Sequence, residues 1–139
     1  LILRVSFTIV ESQRQILSLE DIKLLVNTFY GKVREDELLG PVFDKRIEDR
    51  WPYHLEKMYT FWQTTLLGEH TYTGRPFPPH ATLPVEHRHF SRWVSLFTET
   101  IDELFTGEKA EEAKWRASKI AEMFEMKVWH FQNNPNNIV

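Results

Sequence analysis

Residues 74–93 read GRPFPPHATLPVEHRHFSRW, and the three prolines at 76, 78 and 79 decide what this stretch cannot be. Each proline fixes its own φ and lacks an amide donor, so a regular helix interior is excluded here, although strongly helical sequence flanks it on both sides. The chain has to break between two helices and present His80 on a stiff connector. Rigidity suits a metal ligand, because an imidazole nitrogen must be aimed at one point and a preset backbone loses little further entropy on binding. A histidine beside prolines is more often an ordinary loop residue, so the flanking helices decide whether this one is a ligand.

Upstream, Ser18 and Asp21 form a capping pair ahead of Ile22, Leu25, Val26, Phe29 and Val33, whose spacing predicts a helix over 19–34 with one buried stripe. Tyr30 lies at the stripe's edge, either a boundary residue with its hydroxyl in water or a side chain turned inward. Leu39, Gly40 and Pro41 predict a stop, with Phe43 in a short irregular corner. A second helix is expected from about 49, capped by Asp49, with Pro52 in its first turn and Gly68 at its end. Its inner face carries Trp51, His54 or Leu55, and Met58, while Lys57 is by default a solvated charge. The long connection over 69–79 hints at a site, since long structureless segments inside small domains are uncommon otherwise. A third helix is expected over 85–105, with Pro84 in its first turn and Phe90, Trp93, Val94, Phe97, Ile101 and Leu104 inward. Gly107 breaks the chain, and a last helix over 108–132 carries Ala113, Ile120, Phe124 and Val128. The fold class is all-α, with one domain at 18–132, an extension of uncertain form at 1–17 and a fraying tail at 133–139.

Composition narrows the function. The 139 residues carry a net charge of only −3 and no dense basic stripe, which argues against nucleic acid as a partner. Cysteine is absent, so disulfides, thiol catalysis and covalent haem attachment are excluded, and a reducing, cytoplasmic location fits. The apolar run over 1–10 is too short to span a bilayer, which takes roughly 20 residues, and resembles a signal peptide poorly. Ten Phe and five Trp exceed what a small helical domain needs to close its core, so they pack on one another or line a pocket.

The six histidines do not form a zinc set: His87 and His89 are two apart on a helix and point to different faces, and no HExxH occurs. A glycine-rich phosphate loop and a Gly-x-Ser-x-Gly elbow are also missing. One loop histidine, a second histidine on another helix, and a tyrosine and tryptophan toward the buried side suit an iron porphyrin gripped by apolar helices.

The segments IKLLVNTFYGKVREDELLGPVF, WPYHLEKMYTFWQTTLLGE, YTGRPFPPH and HFSRWVSLFTETIDELF, taken in order and spacing from about 22 to 131, resemble the group III truncated haemoglobins. The double-glycine motifs of the other truncated groups are absent. The resemblance implies a shortened globin, two helices packed over two around haem b. It places His80 as the proximal iron ligand, Tyr30 as the distal hydrogen-bonding tyrosine, Trp93 as the distal-side tryptophan and Phe43 as the ring stacked on haem. His54 and Met58 fall at the two distal-helix positions facing the iron. Lys57 and Arg75 are the candidate partners of the propionates. Neutral His80 would bind iron through one nitrogen, with its other N–H held by a backbone carbonyl. The expected function is binding of O2, and of NO or CO, at ferrous haem, with an unidentified reductant and no membrane partner. His54 is expected to gate ligand entry. A haem enzyme with peroxidase or NO dioxygenase activity uses the same residues, and a cofactor-free helical interaction protein is the third possibility.

Overall fold

The computed structural model of the chain describes residues 13–134. The whole apolar run over 1–10 and the tail beyond 134 therefore lie outside the described residues, together with the expectations attached to them. Five α-helices follow in order: α1 (Leu19–Glu35), α2 (Gly40–Ile47), α3 (Trp51–Leu67), α4 (His87–Leu104) and α5 (Glu108–Asn133), with a single 3-10 turn at Pro78–His80. Helix α1 packs on α3 and α4, α4 packs on α5, and α3 touches α5, giving the two-over-two sandwich. Among the described residues no helix is long and apolar enough to cross a membrane.

Local chemistry sets the helix ends. The Asp21 carboxylate accepts the amides of Leu17 (2.9 Å) and Ser18 (3.1 Å) and pairs with Arg14 (2.8 Å), so α1 starts where its orphan donors are met. Asp36 performs the same service for the next helix, accepting the amides of Leu38 and Leu39 and the guanidinium of Arg92 at 2.7 Å. This is why Phe43 lies on a helix rather than in an irregular corner. Gly40 and Pro41 begin α2 instead of only ending α1, for proline fits a first helical turn as well as it breaks an interior. Asp49 does not cap α3; Arg50 precedes it, after a sharp turn in which Glu48 takes φ 57°. Gly68 ends α3 in the left-handed region at φ 70°, as expected. Helix α4 begins at His87 rather than 85, because Glu86 and His89 form a reciprocal cap: the Glu86 amide donates to His89 Nδ1 at 3.0 Å and the Glu86 carboxylate accepts the His89 amide.

All five stripe residues of α1 are buried, and Phe97 of α4 is enclosed between two parallel rings, Trp62 at 5.0 Å and Trp93 at 5.7 Å between centroids. Truncating such a phenylalanine to alanine costs about 3–5 kcal/mol. Residues 13–17 join this core: Ile16 is fully buried, and Arg14 bridges Phe105 through the bonds Arg14 N–H to Leu104 O (3.1 Å) and Thr106 N–H to Arg14 O (2.9 Å). A smaller cluster, Phe77, Ala81, Phe124 and Val128, packs the proline-rich connector onto α5. The two clusters leave a gap between them, and that gap is the site.

Candidate functional site

The gap is a cavity of about 100 Å3 of water-accessible space that opens to solvent at its mouth. Its wall is almost wholly apolar: Leu39, Phe43, Met58, Phe61, Leu83, Val85, Phe90, Ile120 and Phe124 contribute most of it. Tyr30, His80, His89 and Trp93 bring polar atoms to the same wall. The cavity thus gathers Tyr30, Phe43, Met58, His80 and Trp93 from five separate segments of the chain.

The His80 ring is fixed from behind. Its Nδ1 lies 2.7 Å from the carbonyl oxygen of Pro76, which only accepts, so Nδ1 carries the proton and Nε2 keeps a free lone pair. Pro76 also lines the cavity, and the Phe124 ring stands 4.8 Å from the imidazole on the α5 side. Burial lowers the pKa of His80, the Pro76 bond opposes that shift and the Arg46 charge adds to it. A neutral ring is the form that ligates metal.

Arg46 was not anticipated from the sequence. From α2 it donates to the Pro79 carbonyl at 2.6 Å and to the Thr82 hydroxyl at 3.1 Å, bracing the turn on both sides of His80. Its partners lie 33 and 36 residues away, and no local pattern marks such a contact. The only available signal was an arginine in the last turn of a short helix that looked like irregular chain.

On the facing wall, Tyr30 is turned inward and 5% exposed, not a boundary residue. Burial raises its phenol pKa, an effect partly offset by the Trp93 indole N–H, so the hydroxyl keeps its proton and stays a donor. Trp93 and Tyr30 both meet the Phe29 ring edge-on, at 5.4 and 4.9 Å, which sets them side by side. His54 is not part of the cavity wall. Its ring stands edge-on to Tyr30 (5.2 Å) and Trp51 (5.5 Å), and its buried Nε2 has no hydrogen-bond partner among the described residues. Burial, then the nearby His80 and Lys57 charges, push its pKa down to about 4. Lys57 and Arg75 are exposed and stand outside the wall, Lys57 with its ammonium 5.4 Å from the Tyr53 ring.

Among the described residues no three His, Asp or Glu side chains converge as a metal cage. A metal held in a carrier of its own would need only one protein ligand, which the free lone pair of His80 could supply. A flat, apolar metal chelate fits this wall, which carries the His80 imidazole and the donors of Tyr30 and Trp93, with an unpartnered His54 nitrogen beside Tyr30.

Comparison with known proteins agrees with this geometry. The family described as bacterial-like globin matches residues 15–129. The group 3 truncated haemoglobin of Campylobacter jejuni is 36% identical over 118 residues, which are 82% of this chain and 87% of that protein. A crystal structure of group III truncated haemoglobin from Campylobacter jejuni matches with a TM-score of 0.76 at 33% identity, covering 84% of this chain and 94% of that one. A cavity with one loop histidine at its wall, on a two-over-two helical frame, is thus a globin's cavity, and the chain belongs to the bacterial-like globins as a group III truncated haemoglobin.

Proposed function

We propose that the cavity holds haem b without covalent attachment, that His80 Nε2 would ligate its iron, and that the chain binds O2 or a related diatomic gas there. Globin membership supports the haem. The observation that carries the ligand assignment is the 2.7 Å bond from His80 Nδ1–H to the Pro76 carbonyl, which leaves Nε2 as a lone pair at an apolar wall. Haem supplies a ferrous iron with an open coordination position for a diatomic ligand. Phe43 and Phe90 hold the apolar ring, and the neutral Tyr30 hydroxyl and the Trp93 indole N–H offer donors to the electron-rich outer atom of dioxygen. His54 stands beside Tyr30 with a nitrogen free to swing, which suits a gate. A reductant is needed to keep the iron ferrous.

Visible spectra of the purified protein, oxidised, reduced and reduced under CO, test this. The expected result is an intense Soret band that shifts on reduction and again with CO. A protein that takes up no haem on titration with hemin overturns the proposal.

A further inference from the structure

Two histidines line the cavity, and the second is not used by the function proposed above. His89 is 7% exposed and sits in the first turn of α4, where the chain comes to the surface at Glu86, His87 and Arg88. Its Nδ1 accepts the Glu86 amide at 3.0 Å. A nitrogen that accepts has no proton, so the proton of the neutral ring is on Nε2, a donor. Among the described residues Nε2 makes no hydrogen bond, and the residue, largely buried, borders the cavity. The Glu86 carboxylate is not a partner for it, being engaged by the His89 amide and by Arg88 at 3.5 Å. A donor with no protein partner at the rim of a cavity is open to an acceptor carried by whatever fills it.

We propose that His89 is a carboxylate-binding residue of the cofactor site, its Nε2–H donating to a propionate of the haem. This rests on the haem reading above. Haem's peripheral acceptors are its two carboxylates, and their charge draws them to the rim, where water reaches them. His89 is placed at such a rim: buried ring, exposed neighbours. Lys57 and Arg75, expected for this role from the sequence, stand outside the cavity wall.

A chemical cycle separates this role from helix capping. The rate of haem transfer to excess apomyoglobin is measured for the wild type and for His89→Phe, each loaded with haem or with haem dimethyl ester, whose carboxylates are masked. The expected result is loss of native haem about 10- to 100-fold faster in His89→Phe, the scale of one hydrogen bond to a charged acceptor. With the ester the two proteins should differ clearly less, since the charged acceptor is gone and only a neutral carbonyl remains. Equal acceleration for both haems overturns the proposal and leaves His89 a capping residue. Nitrogen-15 NMR of the wild type gives an independent answer: the His89 Nε2–H signal should move between the two haems, and an unmoved signal also overturns the proposal. A wild type that retains neither haem defeats the haem reading itself, whereas one that retains both with no difference between them defeats only this inference.

Discussion

The connector that carries His80 and the helix that carries His54 hold their imidazoles in opposite ways. His80 is in a 3-10 turn between prolines, with its ring N–H bonded to a main-chain carbonyl and its flanks braced by Arg46. His54 rides on a regular helix, yet its buried nitrogen has no partner. The irregular segment is the determined one and the regular segment the free one. An imidazole whose hydrogen bond is already made has one nitrogen left and one direction to point it. An imidazole with none made keeps its choice, which is what a gate requires and what a permanent ligand must avoid.

The strongest way to break this contrast is His80→Gly. Haem affinity should fall by at least about 100-fold, because loss of a group that merely orients a metal ligand already costs about 10- to 100-fold, and added imidazole should restore the spectrum. A wild-type ferrous spectrum in that variant without imidazole would remove His80 from the iron. Next in size is Tyr30→Phe, which deletes one oxygen and keeps the ring. O2 release should accelerate by about 10- to 150-fold in stopped-flow, with CO release little changed; equal changes for both gases would point to a loosened pocket instead. Arg46→Met sharpens the comparison, since it removes the brace and leaves the Pro76 bond. Haem transfer to apomyoglobin should speed up by about tenfold, with the ferrous–CO band position unaltered.

His54→Leu should have the smallest effect on haem retention. In the haem-free chain at neutral pH it should raise stability by about 1 kcal/mol, because it replaces an unsatisfied buried nitrogen with an apolar group. The acid side should change shape as well. With its pKa lowered to about 4, folded His54 refuses a proton that the unfolded chain accepts near the ordinary imidazole value of 6.5. Stability contributed by its neutral form is therefore full above about pH 6.5 and falls away as pH drops toward about 4. Urea denaturation across that window should show a shallower loss in the Leu variant. A bis-histidine spectrum in unliganded wild type that disappears in His54→Leu would instead make both histidines ligands and dissolve the contrast.

What the sequence disclosed and what it hid follow from distance along the chain. The α1 stripe was legible because Ile22, Leu25, Val26, Phe29 and Val33 repeat at helical spacing and one face must be buried. His80 was legible because three prolines announce a fixed backbone around it. Helix α2 was hidden because Gly-Pro signals both a stop and a start, and only the Asp36 carboxylate, bonded two and three residues ahead, tips the balance. Arg46 and the inward turn of Tyr30 were hidden for a different reason: both depend on which helix packs opposite, and periodicity does not carry that information. The reciprocal cap of Glu86 and His89 was local and within reach, but a histidine at the third helical position does not look like the usual glutamate.

Gly40 gives two distant parts of the cavity a common mechanical origin. A Cβ there would come 2.7 Å from the Arg34 carbonyl oxygen, with Arg34 main chain on the other side of the contact and no flexible side chain to yield. Any larger residue has to lever α2 off the end of α1. That helix is only eight residues long and carries Phe43 at the cavity wall and Arg46 under the His80 turn, so it pivots as one body. One added methyl at position 40 would displace the Phe43 ring at the cavity wall and the Arg46 brace beside His80 in a single motion, which makes the corner a fulcrum for both sides of the pocket.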